Sequence, residues 1–254
     1  MLSAGEVLET DVVVEVGPGL GPLTAKLCQA AQRVVAVELD DVLATNLQLN
    51  TSKRVRESGS EIDVKNLEVV HQSILDFDTS NIEAGYKIIA NIPYYLTSNL
   101  IRTMLENSNP PSLMVLLVQK EVAERVAATP GDMGILSVAT QFYAEVYLKE
   151  LVPASLFTPP PKVDSQIIQI RMRESPLFPD IDTVQFFKLV RAGFSEKRKK
   201  LRSSLSGGLD VSKALVDDLL SRAEISPDAR AQELSLSQWH QLYQQLDGVV
   251  DSLV

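Results

Sequence analysis

The stretch that most constrains this chain is Asp11-Val12-Val13-Val14-Glu15-Val16, which runs straight into Gly17-Pro18-Gly19-Leu20-Gly21. A run dominated by valine reads as a buried strand. The spacing Leu23, Leu27, Ala30 that follows is helical. Strand, glycine turn and helix in that order open a doubly wound sheet that receives a nucleotide-like ligand at its carboxyl edge. The glycines let the backbone approach a ligand closely, and the helix N-terminus offers free N–H groups. The spacing is G-x-G-x-G, not the G-x-G-x-x-G of dinucleotide sites, and Pro18 stiffens it.

Arg33–Val37 reads as the second strand, ending at Glu38, 21 residues after Gly17. A carboxylate there can accept from both ribose hydroxyls. The bland alternative is a solvated strand end, with Asp40 or Asp41 capping the next helix. That helix is expected from Asp41 through Leu49, with Lys53–Lys65 as a polar surface excursion. Leu67–Val70 forms a third strand, ahead of Ser73 and Ile74. Tyr86–Ala90 forms a fourth, stopped by Asn91-Ile92-Pro93-Tyr94. Thr97 or Ser98 is expected to cap a helix bearing Leu100, Ile101, Met104 and Leu105. Leu113–Val118 reads as a central strand, Glu121–Ala128 and Ile135–Phe142 as helices. Val146–Leu151 and Gln166–Met172 read as late strands around the proline-rich Phe157–Lys162. The alternation implies a largely parallel sheet, with the glycine turn, Glu38, Ser73 and Asn91 at its carboxyl edge. From about Asp180 the pattern is helical: Val184–Ala192, Lys197–Leu205, Val211–Ala223 and Leu236–Leu246. Two domains follow, residues 1–178 and 179–254.

Asn91-Ile92-Pro93-Tyr94 carries chemistry of its own. An exocyclic base amine is a poor nucleophile because its lone pair is delocalised into the ring. The Asn91 side-chain oxygen and the Ile92 carbonyl can accept from that NH2 and localise the lone pair toward a methyl donor. Tyr94 can stack on a base flipped out of its helix. Alone, an N-x-P-Y would be a turn Asn and a half-buried Tyr.

No apolar stretch approaches the roughly 20 residues of a membrane span. The Met1 end lacks the pattern of a secretory signal. One cysteine, Cys28, leaves no internal disulfide and no cysteine-rich metal site, which points to a reducing cytoplasm. The net charge of −9 argues against indiscriminate nucleic-acid binding, but six basic residues cluster in Arg191–Arg202. Such a run is usually a solvated helix face. Lys197-Arg198-Lys199-Lys200 covers most of a helical turn, too much for one acidic face to neutralise, which favours phosphate contact. His71 and His240 are assigned no role.

Together, Val14–Thr24, Val35–Asp40, Asn91–Tyr95, Phe157–Ser165 and Ala192–Leu201 resemble the ribosomal RNA adenine dimethyltransferases of the KsgA type, in order and spacing over nearly the whole chain. The glycine turn alone indicates only an S-adenosylmethionine enzyme. Phe-x-Pro-x-Pro-Lys-Val-x-Ser followed by the basic stretch is much narrower. The resemblance implies a Rossmann-like methyltransferase domain with a mostly parallel seven-stranded sheet, followed by a small all-α RNA-recognition domain. It implies S-adenosylmethionine as cofactor and transfer of two methyls to each of two adjacent adenines near the 3′ end of small-subunit rRNA.

On the same resemblance, Gly17, Pro18 and Gly19 pass the cofactor's methionine half, Glu38 holds its ribose, and Leu39 belongs to the same cofactor site. Ser73 and Ile74 complete the cofactor site, together with Asn91. Asn91, Ile92, Pro93 and Tyr94 hold the target amine, and Phe157 faces Tyr94 across the adenine. Arg191, Lys197, Arg198, Lys199, Lys200 and Arg202 meet RNA. The expected partner is small-subunit rRNA in an immature 30S particle. The chain is expected to be monomeric and cytoplasmic, with neither metal nor membrane.

Two departures stand out. Relatives begin with a basic segment carrying Gln-x-Phe-Leu, absent ahead of Asp11 here, so S-adenosylmethionine binding is expected to be weaker than with that segment restored. Ser73 stands where relatives usually carry an Asp that accepts from the cofactor's adenine amine, and a hydroxyl accepts without charge assistance. The alternatives are the macrolide-resistance methyltransferases of large-subunit rRNA and a non-catalytic pre-ribosome assembly factor. A dinucleotide-dependent oxidoreductase is disfavoured by the glycine spacing and by Asn91–Tyr94.

Overall fold

The computed structural model describes residues 1–59, 64–196 and 198–246. The chain divides into two compact units, Met1–Glu124 with Ala144–Arg173, and Arg125–Tyr143 with Glu174 onward. The boundary thus differs from a single cut at 178/179.

The first unit is built on seven strands: β1 Val12–Val16, β2 Arg33–Glu38, β3 Leu67–His71, β4 Lys87–Asn91, β5 Leu113–Gln119, β6 Ala144–Val152 and β7 Ser165–Met172. Their order in the sheet is β3-β2-β1-β4-β5-β7-β6. Strands β1 to β5 pair in parallel. Strand β7 runs antiparallel to both β5 and β6. This is the mostly parallel seven-stranded sheet expected. All five residues of β1 are buried, as required of a strand covered on both faces.

Helices α1 (Pro22–Ala30), α2 (Asp41–Glu57) and α3 (Thr97–Leu105) follow β1, β2 and β4. Helix α2 runs well past Leu49, through part of the expected excursion. Its Ala44, Leu47, Thr51 and Val55 are buried, at the three- and four-residue spacings of one helical face. Asp40 caps it, accepting from the Leu43 N–H at 2.9 Å. Neither Thr97 nor Ser98 caps α3. Leu96 occupies that position without a side-chain bond, and the Thr97 hydroxyl donates to the Tyr94 carbonyl at 3.1 Å.

Helix α4, Lys120–Val126, spans the point where the chain passes from the first unit to the second. The second unit holds α5 (Ile135–Tyr143), α6 (Thr183–Gly193), α7 (Leu201–Gly208), α8 (Lys213–Arg222) and α9 (Leu236–Gln244). Residues 125–143 belong to it because Met133, Val138 and Phe142 share a core with Phe186, Leu205 and Trp239. Gly131 and Met133 both donate to the Gln232 carbonyl, at 2.9 and 3.2 Å. Helix α7 starts at Leu201, so residues 198–200 precede it. Lys197 lies outside the described residues.

Candidate active site

The carboxyl edge of the sheet gathers the expected residues from separate stretches of sequence. The turn after β1 is held by Gly17 N–H donating to the Val37 carbonyl at 2.9 Å. Gly21 sits at φ +79, where a Cβ would fall 2.9 Å from Thr51 Oγ1 and 3.1 Å from Leu47 Cδ1. Only glycine lets the turn press against α2 this closely. Gly19, at φ +58, would meet nothing within 4 Å, so backbone there borders open space. Pro18 is buried, and its carbonyl accepts from Gly21.

Glu38 ends β2 only 7% exposed. Its carboxylate accepts from Gly19 N–H on Oε2 (3.0 Å) and from Leu39 and Asp40 N–H on Oε1 (2.9 and 3.0 Å). It clamps the glycine turn and still keeps an acceptor position on Oε2, since a carboxylate offers about four. The capping role therefore belongs to Asp40 and the clamp to Glu38. Leu39, beside it, is 64% exposed. Ser73 Oγ accepts from Leu75 N–H at 3.2 Å, capping the short turn Ile74–Asp76. This leaves the hydroxyl proton and one lone pair. Ile74 is buried beneath it.

Asn91 closes β4 with its side chain exposed. Among the described residues neither its amide nor the Ile92 carbonyl has a hydrogen-bond partner. The Ile92 side chain is buried, anchoring the loop. The glycine turn and this loop are neighbours: a Cβ on Gly17 would lie 3.7 Å from Pro93 Cδ. Tyr94 is half-buried, its hydroxyl 2.8 Å from Ser165 Oγ. Phe157 ends a short turn, Ala154–Leu156. It packs partly against a core that includes Leu117 and Ile167.

The sequence reading passed over Glu15. It is 1% exposed on β1, and its Oε2 has no hydrogen-bond partner among the described residues. Burial raises its carboxyl to about 7; the nearby Thr24 hydroxyl opposes this in part, and Glu38 adds a smaller upward push. The signal was present, since a single charge inside an all-valine strand rarely stays unpaired without a role. An orphaned buried carboxylate, open backbone at Gly19, a clamped carboxylate and an exposed leucine suit a cationic S-adenosyl group.

The expected RNA-binding residues are less free than the linear charge run suggests. Lys199 pairs with Glu196 at 2.5 Å, Lys200 with Asp228, and Arg202 with Asp217 at 2.6 Å. Arg191 and Arg198 are exposed and without a partner among the described residues. Neutralisation comes from acids on three separate segments, a solution that a single acidic face could not provide. Among the described residues no helix is long and apolar enough to cross a membrane.

Residues 1–247 match the family model for ribosomal RNA adenine dimethylase. The chain is 42% identical to a ribosomal RNA small subunit methyltransferase A of Dehalococcoides mccartyi, covering 95% of this chain and 81% of that protein. It is 37% identical to one from Latilactobacillus sakei, covering 95% and 82%. Among solved structures, a dimethyladenosine transferase from Plasmodium falciparum superposes with a TM-score of 0.79 at 26% identity, covering 97% and 94%. The 23S rRNA methyltransferase ErmE gives 0.73 at 27%, covering 96% and 94%. The chain belongs to the ribosomal RNA adenine dimethylase family.

Proposed function

We infer that this protein is an S-adenosylmethionine-dependent enzyme that dimethylates N6 of two adjacent adenines near the 3′ end of small-subunit rRNA. The observation that carries the reading is the Asn91 amide at the end of β4, without a partner among the described residues, on a loop in van der Waals reach of the glycine turn.

Asn91 Oδ1 and the Ile92 carbonyl accept from the adenine NH2 and localise its lone pair. Tyr94 and Phe157 stack on the flipped base, a contact worth roughly 1–3 kcal/mol per base. That is comparable with the few kcal/mol needed to extrude it. Glu38 and Leu39 hold the ribose side of the cofactor. Gly17 to Gly19 pass its methionine half, with Glu15 beneath. Ser73 and Ile74 border its adenine. S-adenosylmethionine, when bound, supplies an already activated sulfonium methyl, so no residue is needed as general base in the transition state. The amine proton leaves afterwards to water. Catalysis on this reading is positioning and desolvation.

The helical unit contacts rRNA phosphates through Arg191, Lys197 and Arg198, with Lys199, Lys200 and Arg202 joining as their acid partners are displaced. The substrate is rRNA in an immature 30S particle, met in the cytoplasm by a monomeric chain needing no metal. A second reading, methylation of large-subunit rRNA, is favoured by the likeness to ErmE. Incubating the protein and labelled cofactor with immature 30S particles, mature 30S subunits, naked small-subunit RNA and large-subunit RNA separates them. Label in the immature particle alone is expected. Label in large-subunit RNA alone overturns the first reading in favour of the second.

A further inference from the structure

Two loops carry the aromatic rings assigned to base stacking, and one dipeptide ties both of them down. Asp164 Oδ1 accepts from the Ala154 N–H at 2.9 Å, at the start of the turn that ends in Phe157. The Asp164 carbonyl accepts from the Lys120 N–H at 3.0 Å, just past the end of β5. Ser165 opens β7, in register with Gln119 and Val152. It is 0% exposed, and its hydroxyl meets Tyr94 Oη at 2.8 Å. Tyr94 itself stands on the other loop, beyond β4.

We infer that Asp164 and Ser165 are positioning residues that set the gap between the Tyr94 and Phe157 rings at the separation a flipped adenine fills. The inference rests on the adenine-methylation reading above. A ring stacks productively only if its face is already presented when the base arrives. Ordering it afterwards spends binding energy on lost side-chain freedom. Tyr94 has a polar tip, so a buried hydroxyl can hold its ring directly, and that hydroxyl needs a partner of its own. Phe157 has no polar atom, so beyond its partial packing against the core a hydrogen bond can fix it only through its backbone. Asp164 does this by holding the turn that precedes it. Because the two residues are adjacent at the start of β7, movement of one ring's support is movement of the other's.

The test uses the full chain, undermethylated small subunits and S-adenosylmethionine. Ser165→Ala, Tyr94→Phe and the double variant are compared for kcat, KM, cofactor Kd and melting temperature. Each single change should lower kcat/KM about tenfold, with cofactor Kd unchanged and melting lowered only by the few degrees that one buried hydrogen bond accounts for. The double variant should be no worse than either single, since both delete one bond. Asp164→Ala should slow the reaction similarly, and Asp164→Asn, which keeps an acceptor oxygen, should restore most of the lost rate. A purely structural Ser165 would instead lower melting while kcat/KM stays near the parent's, or would weaken cofactor binding, and its loss would add to that of Tyr94→Phe. If Ser165→Ala does not fold, Tyr94→Phe reads the same bond from the half-exposed side. Ser165→Ala or Tyr94→Phe within twofold of the parent, or additive losses, overturns the inference and leaves the enzymatic reading intact. A parent protein that transfers no methyl overturns both.

Discussion

The two ends of β4 differ in how their polar groups are satisfied. Lys87, which opens the strand, donates to the Glu6 carbonyl and to Asp11 Oδ2, both at 2.7 Å. Around it, Arg171 pairs with Glu6 at 2.6 Å. Gln169 donates to the Ala4 carbonyl at 2.7 Å. Asn91, which closes the same strand four residues on, has an amide with no partner among the described residues. The amino edge of the sheet spends its polar groups on holding the chain together. The carboxyl edge keeps Asn91, the Ile92 carbonyl and Glu15 Oε2 uncommitted, and uncommitted polar groups are what chemistry requires. Glu38 serves both purposes, clamping the turn while retaining acceptor capacity, as Ser73 does on a smaller scale.

That contrast is broken or sharpened by four substitutions. Glu38→Ala deletes three charge-assisted hydrogen bonds at once. It should cost about 4 kcal/mol of stability and raise the cofactor Kd roughly 100-fold, by denaturation and calorimetry respectively. A normal cofactor Kd would remove Glu38 from the site.

Glu15→Gln should act in the opposite direction. The Glu15 carboxyl is raised from 4.5 to about 7 by burial, so the folded state holds its proton more tightly than the unfolded one. The stability tied to that proton is complete below pH 4.5 and lost as pH rises through 7. Glu15→Gln should therefore be more stable than the parent at pH 8 by up to ~3 kcal/mol and match it at pH 4. A parallel pair of pH–stability curves would contradict the assignment.

At the other edge, Lys87→Met leaves the Asp11 carboxylate, whose side chain is 16% exposed, short of a partner. It should cost roughly 2 kcal/mol with kcat unchanged. Glu6→Ala removes a more exposed pair, in which Arg171 holds the Glu6 carboxyl below its usual range. It should cost ~0–1 kcal/mol and leave catalysis alone. Loss of activity in either variant would erase the division between the edges.

The parallel sheet was legible because its strands are short apolar runs cut by Gly, Pro or a polar residue. Asn91 and Glu38 stood out as the polar stops. Helix α2 was read too short because Lys53, Arg54 and Arg56 hid the buried series Leu47, Thr51, Val55. Its fourth turn is fixed from outside, by Gly21 pressing on Thr51. The membership of residues 125–143 in the helical unit depends on contacts such as Gly131 with Gln232. The neutralisation of Lys200 and Arg202 depends on Asp228 and Asp217. Periodicity cannot report partners so distant in sequence.

The most direct test of the carboxyl edge is single-turnover methyl transfer by Asn91→Ala at saturating S-adenosylmethionine, with dimethyladenosine counted by mass spectrometry of the digested small-subunit rRNA. The substitution touches an exposed side chain with no partner among the described residues, so stability should hold while the rate at saturating cofactor falls roughly 10²–10³-fold. A rate within threefold of the parent, with dimethyladenosine still formed, would contradict the assignment of the adenine amine to Asn91.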